Sequence, residues 1–218
     1  MTGRLPPSAS IAEPATGDRL IAPSAARNLG PLSDLVAAHA PTQGRALEIA
    51  SGTGQHVVAY ATRLPGVHWH PSEIDGTRRA SINAHMADAE LPNVDPAIAL
   101  DATQRGWAAQ HQPFDFIILS NLLHLIVTDA VRTLITEAAI ALADGGTLIL
   151  YGPFKRGGVL TSPGDEKFDA ELRAADPAIG YKDDLDMARW LSDAGLSPID
   201  VAQMPANNLA FIAGKPTE

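Results

Sequence analysis

Apolar residues in this chain fall into two patterns, a recurrence every three or four residues and short continuous runs, separated by polar or glycine-containing breaks. The first pattern predicts helices over Pro31–Ala40, from the turn at Gly54 through about Arg63, over Thr77–Ala89, over Asp129–Leu142 and over Leu185–Ala194. Pro31 is acceptable at a helix start, Pro41 stops that helix, and Gly145-Gly146 is expected to end the Asp129–Leu142 helix. The second pattern predicts strands at Arg45–Ile49, Val67–Glu73, Pro96–Leu100, Phe114–Ser120, Thr147–Tyr151, Pro198–Gln203 and Leu209–Ala213. Gly152-Pro153 is expected to close the strand at Thr147–Tyr151.

Regular alternation of strand and helix argues for a parallel sheet. Phe114–Ser120 is too continuously apolar for a half-exposed strand and suits a central one covered on both faces. The connection Met204–Asn208 is too short for a parallel crossover, so the last two strands should pair as an antiparallel hairpin. The expected architecture is therefore α/β and Rossmann-like, a mostly parallel seven-stranded sheet with a C-terminal antiparallel hairpin and helices on both faces. Residues 1–20, rich in Pro, Ala, Ser, Gly and Thr, are expected to form a flexible arm, and 21–218 a single domain. Within it, 155–181 is longer than ordinary connections and rich in Gly, Pro and charge, which predicts a lid over a ligand.

Composition narrows the partners. A formal charge of −9 repels phosphate backbones, and neither Arg78-Arg79 nor Lys155-Arg156 is interleaved with aromatic residues, so nucleic acid is not expected as a partner. The absence of cysteine removes disulfides, thiolate catalysis and cysteine metal sites, and suits a cytoplasmic location. No apolar run approaches the roughly 18 residues that a membrane-spanning helix needs, so no membrane partner is expected.

The chemistry begins at Glu48-Ile49-Ala50-Ser51-Gly52-Thr53-Gly54, where an acidic residue ends a strand and small residues alternate before a helix. Gly52 and Gly54 let the backbone turn tightly and approach a ligand, beside the free N–H groups of a helix start. A nicotinamide fingerprint would need glycine at Val57, and a P-loop would need Lys where Gln55 stands. What remains resembles motif I of class I methyltransferases, with Ala50 where glycine is more usual. That resemblance implies S-adenosylmethionine as cofactor, with Glu48, Ala50, Ser51, Gly52 and Gly54 around it. A carboxylate for the ribose hydroxyls is expected about 20 residues on, at Glu73 with Asp75 as rival. Asp101 with Ala102 comes after the third strand, where such enzymes commonly receive the adenine amino group, although Asp101 could equally cap a helix from Ala102 onward.

Further stretches, Ser51–His56, Pro71-Ser72-Glu73, Tyr151–Phe154, Phe168-Asp169 with Leu172-Arg173, and Met204–Asn208, together resemble the methyltransferase-like protein 26 family from about Ala22 to Pro216. The resemblance implies a class I methyltransferase fold, with the early pair Arg27-Asn28 on a helix folded over the cofactor. Ala26 and Leu29 depart from the charged residues that often flank that pair. Substrates of the family are largely unassigned.

Methyl transfer from a sulfonium needs the reactants held in line and water excluded, and a base helps if the acceptor is a hydroxyl or protonated nitrogen. Ser120, Asn121 and His124 come after the fourth strand, at the end where open α/β sheets keep ligands. Ser120 is assigned to the cofactor, Asn121 to orienting the acceptor and His124 to proton transfer, although His124 between Leu123 and Leu125 also suits a core position. His56 is the second candidate for the base, although capping or lining the pocket is its simpler role, and the catalytic candidate Tyr151 ranks below it with Asn207. His68 and His70 share a strand face, but no carboxylate completes a metal site at recognisable spacing, so metal independence is expected. The expected function is methylation of a small-molecule acceptor at oxygen or nitrogen. The alternatives are a non-catalytic protein that binds the cofactor and, disfavoured by Val57, a nicotinamide-dependent oxidoreductase.

Overall fold

The computed structural model describes residues 5, 6 and 9–217. Part of the predicted arm, residues 1–4, 7 and 8, lies outside the described residues. In chain order the strands are β1 (Glu13–Pro14), β2 (Leu20–Ile21), β3 (Gly44–Ile49), β4 (Val67–Pro71), β5 (Phe114–Ser120), β6 (Leu142–Lys155), β7 (Lys182–Asp183), β8 (Ser197–Gln203) and β9 (Asn208–Gly214). The helices are α1 (Pro23–His39), α2 (Gln55–Arg63), α3 (Gly76–Asp88), α4 (Thr128–Ala141), α5 (Pro163–Ala175) and α6 (Asp184–Asp193). Short 3-10 turns lie at Ala108–Gln110 and Leu123–Leu125.

The main sheet runs β4-β3-β5-β6-β9-β8, with β7 pairing on β6. The β3, β4, β5 and β6 pairs are parallel, and β9 joins β6 and β8 antiparallel, as the short Met204–Asn208 connection requires. The sheet is thus mixed, and its C-terminal hairpin forms one edge.

Side chains alternate across the sheet and split the core in two. Ile117 and Leu119 of β5 pack with α4 and α6 on one face, around Leu134, Ile135, Met187 and Leu191. Phe116 and Ile118 point to the other face, where α1, α2 and α3 bring Leu32, Val36, Val57, Tyr60 and Ile82. Both faces of β5 are therefore covered, which is why its sequence is an unbroken apolar run. No helix among the described residues is long and apolar enough to cross a membrane.

Four boundaries differ from the sequence expectation. The first helix begins at Pro23, and Pro31 lies inside it, leaving the Arg27 carbonyl without its helical donor. The expected strand at Pro96–Leu100 is only an irregular edge, joined to β4 by isolated bridges at Trp69↔Val94 and Ser72↔Ile98. Pro96 has no N–H to give, and Ala97 donates to the Asn83 side chain instead. Gly145-Gly146 does not end α4, which stops at Ala141; Gly145, at φ +77°, bends β6 near its start. Nor does Gly152-Pro153 close β6, which pairs with β9 as far as Pro153 and with β7 over Phe154 and Lys155. Ser120, the last residue of β5, pairs with Tyr151, so the missing N–H of Pro153 costs that ladder nothing.

Candidate functional site

The strands β3, β4 and β5 end on the same side of the sheet, and the chain turns sharply at two of those ends. Ala50 follows β3 at φ +54° and Asn121 follows β5 at φ +58°, both left-handed. Asn tolerates that region, whereas for Ala it is strained. Gly52 is also left-handed, at φ +60°, and a Cβ there would meet nothing closer than 3.8 Å. These turns open a cleft of about 1190 Å³.

Its walls are stitched from the Pro-Ser-Glu stretch. Ser72 is fully buried and ties β4 to β3, its N–H and hydroxyl both donating to the Glu48 carbonyl. That places Glu73 against the glycine turn, with Gly52 N–H donating to Oε2 at 3.1 Å and Asp75 N–H to Oε1 at 3.2 Å. Each oxygen keeps a lone pair for a ligand. Asp75, the rival carboxylate, caps α3 by accepting from Arg78 N–H. Asp101 also lines the cleft, but Oδ1 accepts from the Thr103 N–H and hydroxyl and Oδ2 from Gln104. Its alternative capping role is thus fulfilled, over a turn instead of a helix.

Most of the sequence-selected residues meet here. Asn28, Ala50, Ser51, Gly52, Glu73, Asp101 and Ala102 line the cleft, as do Ser120, Asn121, His124 and Tyr151. Glu48 and Gly54 do not. A Cβ on Gly54 would stand 2.7 Å from the Ile82 Cα, so this glycine serves helix packing. Glu48 is 1% exposed, and its Oε2 has no hydrogen-bond partner. Burial pushes its carboxyl up to about 8; the Ser51 hydrogen bond opposes the shift and the Glu73 charge adds to it.

The acid–base groups are held neutral. Burial pushes His124 down to about 3, with the Lys182 ammonium adding, and burial alone pushes His56 down to about 4. His56 Nε2 lies 2.9 Å from the Asn28 Oδ1, and its ring stacks on Tyr60. Burial raises the Tyr151 hydroxyl, which lies near the Asn28 amide yet makes no well-formed hydrogen bond.

The segment 155–181 carries α5 and contributes Gly164, Phe168 and Tyr181 to the cleft wall. Phe168 and Tyr181 pack edge-on to the His124 ring at 5.6 and 6.1 Å. Asp169 accepts from Tyr181 N–H at 2.7 Å and from Arg173 Nε at 2.8 Å. Asp165 accepts from Ser162 and Tyr181 hydroxyls and from Asn207 Nδ2, which joins α5 to the β8–β9 turn. The stretches at Phe168-Asp169 and Met204–Asn208 are therefore neighbours in space.

Sequence reasoning missed part of the wall. Leu5, Ser10 and Ile11 line the cleft, and Arg78 Nη2 on α3 donates to both the carbonyl and the hydroxyl of Ser10. The Arg78-Arg79 pair was the only signal, and nothing local to it specifies a partner 68 residues away.

The fold is that of methyltransferases. An O-methyltransferase family protein from Burkholderia thailandensis superposes with a TM-score of 0.74 at 17% identity, over 86% of this chain and 56% of that one. An O-methyltransferase family 2 protein from Planctomyces limnophilus, solved in complex with apigenin, gives 0.74 at 17% identity, over 88% and 60%. Human N-acetylserotonin methyltransferase, solved with S-adenosylmethionine, gives 0.68 at 15%, over 81% and 48%. The chain thus spans about half the length of the solved structures it matches. A family model described as a protein of unknown function (DUF938) matches residues 19–215, and the chain belongs to that family.

Proposed function

We propose that this protein binds S-adenosylmethionine in the cleft and methylates a small-molecule acceptor at oxygen or nitrogen. The observation that carries the reading is the Glu73 carboxylate, held by the Gly52 and Asp75 N–H groups at the rim of a glycine turn that lines the cleft. A cleft of about 1190 Å³ exceeds the roughly 300–1,000 Å³ of ordinary ligand sites and has room for a cofactor beside an acceptor. The likeness to the methyltransferase-like protein 26 family and the cofactor complexes among the structural neighbours point the same way.

When bound, the cofactor supplies an electrophilic methyl group on a sulfonium. Glu73 would accept the ribose hydroxyls, Asp101 and Ala102 would hold the adenine, and Asn28, Ala50, Ser51, Gly52 and Ser120, which line the same cleft, would hold the remainder. Glu48 and Gly54 shape the turn from behind. Asn121 orients the acceptor, and Phe168 and Tyr181 exclude water from it. His124 and Tyr151 stay neutral at neutral pH, so they offer hydrogen bonds to the acceptor, and His124 is a weak proton acceptor. An acceptor that is already ionised, or a neutral amine, suits such a site best.

Calorimetric titration with S-adenosylmethionine tests the reading, using protein freed of copurified cofactor. Saturable binding, lost in Gly52→Arg and weakened in Glu73→Ala, is expected; a wild-type protein that does not bind refutes it. The weak basicity of His124 also favours a second reading, a protein that binds the cofactor without turnover. Acceptor-dependent release of S-adenosylhomocysteine excludes that reading. Val57 stands fully buried where a nicotinamide site needs glycine, so no binding of the reduced nucleotide is expected.

A further inference from the structure

His68 and His70 project from one face of β4, and the fold brings them the carboxylate that their sequence neighbourhood lacks. It is Asp95, on the irregular edge segment beyond α3. His68 Nε2 lies 2.7 Å from Asp95 Oδ1, and His70 Nδ1 lies 2.9 Å from Asp95 Oδ2. One potential ligand atom from each of the three lies within 4.8 Å of the others. The three residues are absent from the cleft wall.

From this convergence we infer a divalent-cation site, built by His68, His70 and Asp95 on the β4 edge and suited to Zn²⁺ or a similar borderline metal. Two imidazoles and one carboxylate favour such an ion over Mg²⁺ or Ca²⁺, which take oxygen ligands. His70 is well positioned as a ligand. Its Nε2 is buried without a partner, and its ring packs edge-on to Phe114, which leaves Nδ1, aimed at Asp95, as the nitrogen on offer. The His68 and Asp95 side chains are 43% and 47% exposed, so an ion can enter and water can complete the coordination.

The ion would replace the two His–Asp hydrogen bonds, leaving each ring neutral with its proton on the non-ligating nitrogen. It would also clasp β4 to the segment where Pro96 interrupts the ladder. Arg45 opposes the ion, because it pairs with His68 across β3 and β4 and its guanidinium lies over the Phe114 ring that His70 also packs against.

The test is calorimetry of tag-free, full-length protein with ZnCl₂ after chelator treatment, with Co²⁺ absorption as a second readout. One equivalent should bind, with a d–d band showing nitrogen ligation. His68→Asn and Asp95→Asn, both at half-exposed positions, should each weaken binding at least about tenfold. Arg45→Met should tighten it severalfold. Absence of a stoichiometric site in the wild type, or unchanged affinity in His68→Asn and Asp95→Asn variants whose circular dichroism matches wild type, overturns the inference. The outcome is independent of methyl transfer and of S-adenosylmethionine binding.

Discussion

Glu48→Gln should make the protein more stable at neutral pH and less stable in acid. The folded carboxyl titrates at about 8, against 4.5 for the free group. Below 4.5 both folded and unfolded chains carry the proton, and Glu48 costs nothing. Between 4.5 and 8 the unfolded chain releases it and the folded chain does not, so wild-type stability is lost as pH rises, at about 1.4 kcal/mol per pH unit. By pH 7 the loss reaches roughly 3 kcal/mol. Glutamine never ionises and escapes it, but its amide occupies a site where Oε2 already lacks a partner, a pH-independent cost of about 1 kcal/mol. The variant should therefore be about 1 kcal/mol less stable near pH 4 and about 2 kcal/mol more stable at pH 7. His56 and His124, both depressed by burial, destabilise the fold as pH falls below 6.5, but equally in both proteins. Urea unfolding of wild type and variant at intervals from pH 4 to 7.5 measures the difference. A difference that stays constant across that range refutes a buried, neutral Glu48.

Two other changes test the turn and the lid. Gly54→Ala places a Cβ against the Ile82 backbone at φ +95° and should cost roughly 2 kcal/mol or more, whereas Gly52→Ala, whose Cβ would meet nothing closer than 3.8 Å, should cost about 1; equal melting temperatures would contradict the packing role of Gly54. Asp169→Ala strips the buried Tyr181 N–H of its acceptor and should cost about 1–3 kcal/mol, with faster amide exchange at Tyr181; unchanged exchange there would show that Asp169 does not hold the lid.

The strand–helix alternation, the central strand and the C-terminal hairpin were legible wherever a local pattern carries the information. Phe114–Ser120 announces a central strand because both its faces are buried, and Glu73 is legible because strand, turn and spacing together point to it. What escaped depends on distant partners. Pro96–Leu100 has the apolar content of a strand, but its proline sits at a sheet edge where the ladder breaks. Glu48, one residue before the end of β3, is expected beside the cofactor from the sequence; strand alternation turns its side chain into the α2 side of the sheet, toward Tyr60, and it is absent from the cleft wall. Asp95 gives no sign of its histidine partners, since it reaches them only by lying alongside β4.

Much of the cleft rim is main chain: the left-handed turns at Ala50, Gly52 and Asn121, the Gly52 N–H, and the carbonyl stitching by Ser72. A rim of this kind constrains few side-chain identities, because backbone geometry survives substitution wherever the turn can still form. Drift of the surrounding sequence then leaves the binding surface in place. It also suits a chain that keeps its fold in common with a protein only 17% identical to it. Under the proposed function, new acceptor chemistry would arise by substitution in 155–181 and the β8–β9 turn, which also line the cleft, while the main-chain rim at the strand ends stays as it is.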